Sequence, residues 1–314
     1  MTLRLGVSVP VMRVVFDPRF DLLVPDGTPI TPHTDGAIWA EGPVYLPRED
    51  ALLWSDVRSN AVRRWSDADG DSILFRPSDF ANGHTLDHDG TVLACEHGLR
   101  RIARYERDGS RTTVVDRFGG RRFNSPNDIV VASDGAIWFT DPPYGILDDS
   151  EGYKADSEQE GCFVYRVDRE TRQVKIASRD LKHPNGLAFS PDESVMYVSD
   201  TSIARDPDGN HHILAFDVVD GRLERPRVFS VMEPGVSDGF RVDVDGNVWT
   251  SAGDGIHVLD AEGVELGRII LPEEASNCQF GGPDGQRLFI TATSTLWSLP
   301  VGITGAVTPW ADGR

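Results

Sequence analysis

Six times along the chain a polar residue leads into an apolar strand, the strand turns at a short polar segment, and a second strand returns. The lead residues are Glu41, Asn82, Asn127, Asn185, Asp238 and Asn277, in segments such as ANGHTLDHDGTVLACEH, PNDIVVASDGAIWFTD and SDGFRVDVDGNVWTSAG. They are separated by 41, 45, 58, 53 and 39 residues, the period of a four-stranded blade rather than of a helical repeat. The pattern predicts an all-β fold: one six-bladed β-propeller domain over residues 1–314, with four antiparallel strands per blade. In a radial array the same position of every blade points at one central channel, so six scattered residues become a ring.

Within each repeat, apolar residues alternate or run for a few positions with β-branched and aromatic enrichment, as in Ile129 to Val131 and Ala136 to Phe139. Asp89-Gly90, Asp134-Gly135 and Asp245-Gly246 are hairpin turns, and Pro191-Asp192 and Pro283-Asp284 fill the same slot. Ala61 to Ser66, Ile102 to Glu106, Phe163 to Asp168, Ile213 to Val218, Ile256 to Asp260 and Thr295 to Pro300 are read as outer strands. The two long separations come from polar insertions, Asp148 to Glu160 in blade three and Ser202 to His211 in blade four. Met12 to Phe16, or the strand leading to Leu23, has no hairpin partner and is expected to complete the last blade.

A formal charge of −19, from 31 basic and 50 acidic residues, argues against nucleic acid or an anionic membrane as partner, since both need a basic surface. Charges and a proline at Arg4, Pro10, Arg13 and Asp17 interrupt the first twenty residues, so no secretory or membrane segment is expected. Cys95, Cys162 and Cys278 are an odd set with no metal-type spacing, which fits buried free thiols and a cytoplasmic location. Composition does not bear on oligomeric state.

Two carboxylates and several amide oxygens converging in a channel suit a hard divalent cation, which takes such oxygens in flexible geometry. Glu41 and Asp238 supply the charge that neutralises it. Without a cation they would repel, and one would hold a proton. No His or Cys joins the ring, which argues against a thiolate or imidazole zinc site of structural type. Ca²⁺ fits best; Zn²⁺, Mn²⁺ and Mg²⁺ also accept oxygen ligands. Asn, Asp and Gly before a strand are ordinary turn residues too, but Glu41 is a poor one, and recurrence at one blade position favours a ring. Asp56, Asp141 and Asp200, with Glu96 nearly equivalent, end second strands and are read as hydrogen-bond anchors between blades. The tryptophans are read as blade packing.

The motifs EGPVY at Glu41, RFNSPND at Arg122 to Asp128, TDPPYG at Thr140 to Gly145, HPNGLAFSPD at His183 to Asp192 and SDGFRVDVDGNVW at Ser237 to Trp249 occur in order and at blade spacing. Together they make the chain resemble the gluconolactonase/regucalcin family of six-bladed propellers. The resemblance implies one divalent metal held by Glu41, Asn127, Asn185 and Asp238, and hydrolysis of sugar lactones. The metal would polarise the lactone carbonyl while Asp238 assists attack by water, or, in the alternative, serves only as ligand while a metal-bound hydroxide attacks. Asn82 and Asn277, left over in the ring, are candidates for hydrogen bonds to sugar hydroxyls. Arg122, or its neighbour Arg121, resembles an arginine with which the family holds substrate oxygens. Tyr144, in the PPYG turn, and His84, just after the blade-two lead residue, are candidate wall residues. Competing readings are an organophosphate or ester hydrolase on the same metal, and a non-catalytic metal-binding interaction propeller.

Overall fold

The computed structural model describes residues 4–306. Six antiparallel sheets are arranged as a six-bladed propeller. Blade one runs Ala40–Leu46, Ala51–Asp56, Ala61–Ser66 and Gly70–Phe75; blade two Ala81–Leu86, Val92–Glu96, Arg101–Tyr105 and Arg111–Val115. Blade three is Ile129–Val131, Ile137–Thr140, Val164–Val167 and Val174–Ser178; blade four Pro184–Phe189, Val195–Asp200, His212–Val219 and Arg222–Val231. Blade five is Phe240–Val242, Val248–Ala252, Gly255–Leu259 and Glu265–Ile270; blade six begins with Ala275–Gly281, Arg287–Ala292 and Thr295–Pro300. Each innermost strand packs on the next, and that of blade six returns to that of blade one.

The stretches read as outer strands stand third, not outermost. A fourth and more exposed strand lies beyond each, with the burial pattern of Gly70–Phe75 typical of an edge facing water. Its weaker apolar signal is the reason it is hard to see in sequence. At the hairpins the turn aspartates accept a backbone amide two residues on, Asp134 from Ala136 at 2.8 Å and Asp192 from Ser194 at 3.0 Å. The turn thereby supplies its own acceptor.

Ring closure uses a different N-terminal strand from the one expected. Pro29–Thr34, rather than Met12–Phe16 or the residues before Leu23, pairs antiparallel with Thr295–Pro300, with Pro32 opposite Trp297. Ile30, Pro32 and Thr34 alternate inward, as a strand that fills a seam must. Met12–Val15 instead adds a fifth strand to the outer edge of blade five, with Met12 opposite Ile270 and largely exposed. Phe20–Leu23 forms one helical turn that buries Phe20 against Gly267.

The apolar core is divided among the seams between blades. Trp138 of blade three packs with Leu187, Met196 and Val198 of blade four, and Trp54 of blade one with Phe289 and Leu296 of blade six. Trp54, Trp138 and Trp249 are enclosed. Full burial of a large apolar side chain contributes about 1.5–3 kcal/mol relative to exposure, so the seams hold the six lead residues in a fixed circle.

Candidate active site

In blades one, two, four and six the strand register shifts at the lead residue, between Glu41 and Val44, Ala81 and His84, Pro184 and Leu187, and Ala275 and Asn277. A bulge of this kind bends the strand and re-aims a side chain. A glycine follows the lead residue in four blades because the next blade comes too close for a side chain. A Cβ on Gly42 would lie 1.9 Å from the Asn82 carbonyl oxygen, and one on Gly186 2.3 Å from that of Asp238. Hydroxyls of the preceding blade fix the lead residues' own carbonyls: Ser55 donates to Asn82 at 2.9 Å, Thr140 to Asn185 at 2.6 Å and Ser199 to Asp238 at 3.1 Å.

The acids that end second strands act within their own blade rather than between blades. Asp56 accepts the amides of Ile38 and Trp39, Asp141 that of Asn124, and Asp200 those of Lys182, His183 and Ser202. Each therefore ties down the loop that leads to Glu41, Asn127 or Asn185. Glu96 departs from the pattern and takes Arg101 and Arg111.

At the centre, the carboxyl groups of Glu41 and Asp238 come within hydrogen-bonding reach of each other. Burial raises the pKa of both, and for Asp238 the charge of Glu41 adds to the rise; two such groups so close cannot both stay ionised without a cation or a shared proton. Glu41 Oε2 accepts from the Gly42 amide at 2.7 Å and from Asn277 Nδ2 at 3.3 Å. Asn185 Nδ2 donates to Thr201 Oγ1 at 3.1 Å, which leaves Oδ1 as its unused group, and the Tyr144 hydroxyl meets the same Thr201 oxygen at 2.5 Å. Asn82 Nδ2 faces His97 Nε2 at 3.5 Å. The Asn127 side chain makes no hydrogen bond among the described residues, although it is almost fully enclosed by the ring.

Asp238 and Asn277 thus each meet Glu41, and Tyr144 reaches Asn185 through Thr201. Two other predicted residues lie elsewhere. His84 is completely buried, its Nδ1–H donates to the Gly42 carbonyl at 2.8 Å, its ring meets Tyr105, and burial pushes its pKa down to about 4. Arg122 donates to the Leu99 carbonyl at 2.7 Å, and its amide donates to Glu158 at 2.8 Å. It fastens the blade-three insertion.

That insertion is a strap. Gln159 donates to the Arg121 and Arg122 carbonyls, the Glu151 carbonyl accepts from His97 Nδ1 in blade two at 3.0 Å, and the Glu151 carboxylate takes Arg58 of blade one at 2.7 Å. Arg58 also lies over the Trp39 ring, 5.0 Å from its centroid. The blade-four insertion stays local, with the Asn210 amide on Ser202 Oγ and Asn210 Nδ2 on Asp200. His97, Thr201 and Glu151 are site residues that the sequence reading missed. A signal was there: His97 follows Glu96 and Thr201 follows Asp200, the same position of two blades. Burial raises the thiol pKa of Cys95, and pushes that of Cys278 to about 12, which suits packing rather than nucleophilic thiols.

The sequence profile of the SMP-30/gluconolactonase/LRE-like region matches residues 39–294. The chain belongs to this family. A gluconolactonase of Zymomonas mobilis is 33% identical over 306 residues, covering 90% of this chain and 83% of its own. A pentonolactonase of Haloferax volcanii is 30% identical over 80% of each chain. Among solved structures, a gluconolactonase of Xanthomonas campestris is 40% identical and superposes with a TM-score of 0.88 over 95% of this chain and 98% of its own. The matched span begins just before Glu41 and takes in all six ring residues. No helix among the described residues is long and apolar enough to cross a membrane.

Proposed function

We propose that this protein is a divalent-metal-dependent lactonase that opens sugar lactones at the ring of Glu41, Asn127, Asn185 and Asp238. The observation that carries the reading is the close pairing of the Glu41 and Asp238 carboxyls beside Asn185 and Asn277, whose NH₂ groups are already occupied. The donors fit a cation. The Asn127 amide has no protein partner among the described residues, Asn185 has Oδ1 to spare, and the two carboxylates need a positive charge between them. All four donors are oxygens, which favours Ca²⁺ and is compatible with Zn²⁺, Mn²⁺ or Mg²⁺. When bound, the cation supplies Lewis acidity towards the lactone carbonyl and a countercharge for the oxyanion.

The protein's own groups do the rest. Asp238 accepts no hydrogen bond on its carboxylate from an N–H among the described residues, and it retains some exposure to the channel. It is therefore basic enough to take the proton of the attacking water, then return it to the ring oxygen as the acyl C–O bond breaks. Glu41, with two N–H donors, is better solvated as an anion and serves as ligand. Asn82 and Asn277 line the same ring and hold hydroxyls of the substrate; Tyr144 forms the wall beside Asn185. A ring of amides favours a hydroxylated substrate over an apolar ester.

The test is hydrolysis of glucono-δ-lactone and a panel of pentonolactones after chelation and after return of each divalent ion. Activity lost with chelator and restored by one ion supports the proposal. A protein that binds an ion at the ring yet opens no lactone refutes it.

A further inference from the structure

Blades two and four hold their ring amides in the same way. The residue after the second strand's terminal acid, His97 in one and Thr201 in the other, faces the NH₂ group of that blade's own lead asparagine. In blade two the holder is itself held. His97 Nδ1 lies 3.0 Å from the Glu151 carbonyl, an atom that can only accept, so Nδ1 carries the proton. Burial lowers the His97 pKa, which keeps the ring neutral and leaves Nε2 a bare acceptor. Nε2 then accepts from Asn82 Nδ2, and Asn82 Oδ1, without a partner among the described residues, is left to the channel. The packing leaves the ring little freedom: His97 is fully buried, and a Cβ on Gly145 would lie 2.5 Å from the His97 Cβ.

We propose that His97 is a positioning residue that fixes Asn82 with its carbonyl oxygen towards the substrate, and that the blade-three strap sets this orientation through the Glu151 carbonyl. The site thereby presents an acceptor, not a donor, on its blade-two side, and selects lactones with a hydroxyl at the position that Asn82 meets. The inference rests on the lactonase reading for its substrate. The strap matters because it reaches blade two and blade one together, through His97 and Arg58.

Two measurements test it. The first is independent of activity: ¹⁵N and ¹³C NMR of the imidazoles in the full-length protein at neutral pH. His97 is expected as the Nδ1–H tautomer, the minor form of a free neutral imidazole; Nε2–H overturns the proposal whether or not the protein opens lactones. The second compares kcat/KM for glucono-δ-lactone with that for δ-valerolactone, which has no hydroxyls, in wild type, His97→Gln and His97→Leu. Glutamine can donate to Glu151 and accept from Asn82, whereas leucine can do neither. His97→Leu is expected to lower the preference for the hydroxylated lactone about three- to tenfold, the value of one neutral hydrogen bond, through KM and with metal affinity unchanged. His97→Gln should restore most of it. Unchanged selectivity in a folded His97→Leu overturns the proposal. A wild type inert towards every lactone instead refutes the lactonase reading, and the tautomer still decides the relay.

Discussion

Glu41 and Asp238 are the two acids of the ring, and their surroundings differ. Glu41 receives N–H groups from Gly42 and Asn277 on a single oxygen, whereas Asp238 is fixed through its backbone, by Ser251 on its amide and by Ser199 on its carbonyl. In one case the protein stabilises the charge; in the other it stabilises only the position. The contrast shows how a propeller gives equivalent blade positions different surroundings. The inner strands repeat, but the residues beside them do not: Asn277 is next to Glu41 across the blade six–blade one seam, while the Asp238 carbonyl accepts the Gly186 amide across the blade four–blade five seam.

The largest effect that sharpens this contrast is expected from Asp238→Asn. With metal saturating, kcat should fall about 10²–10⁴-fold, the usual contribution of a positioned acid–base group; a variant rescued fully by added metal would make Asp238 a ligand only. Glu41→Gln is expected to do the reverse, with metal affinity weakened by more than about 100-fold, beyond the usual loss for a residue that only supports a ligand, and most of kcat recovered at high metal. Isothermal titration beside kinetics separates the two. Gly42→Ala places a methyl 1.9 Å from the Asn82 carbonyl at a residue with φ of 51°; overpacking should cost about 1–3 kcal/mol and lower Tm by several degrees in calorimetry, disturbing Glu41 before Asp238. The smallest effect is expected from Ser199→Ala, which removes the hydroxyl on the Asp238 carbonyl. About 1 kcal/mol of positioning should appear as a severalfold drop in kcat with metal affinity intact. Equal losses in both quantities would erase the distinction between the two acids.

The lead residues could be read from the sequence because every blade opens on a polar residue and four of the six follow it with a glycine where two blades touch. What holds them could not. Ser55, Thr140 and Ser199 are unremarkable hydroxyls in apolar strands, and their partners lie in another blade. The anchoring role of Asp56, Asp141 and Asp200 was half legible: their recurrence marked them as structural, but the amides they accept lie in the same blade's own lead-in loop. Pro29–Thr34 escaped notice because two prolines in six residues argue against a strand, yet beyond it lies only the two-residue strand Val9–Pro10, opposite Ile30 and Pro29, so few ladder bonds on that side need an N–H. Arg122 and His84 were drawn towards the channel by proximity in sequence to Asn127 and Asn82. Their side chains turn instead to the Leu99 carbonyl of blade two and to the Gly42 carbonyl in the seam between blades one and two.

Closure by Pro29–Thr34 also sets an order of events during synthesis. Its partner, Thr295–Pro300, lies some 260 residues later, so blade six cannot be completed until nearly the whole chain has left the ribosome. Until then Glu41 lacks Asn277, and Asp238 has no blade beyond its own to rest against. Contacts this distant in sequence form slowly. The circle of lead residues is thus the last part of the molecule to be completed, and a nascent chain carries five partial sheets before that circle closes.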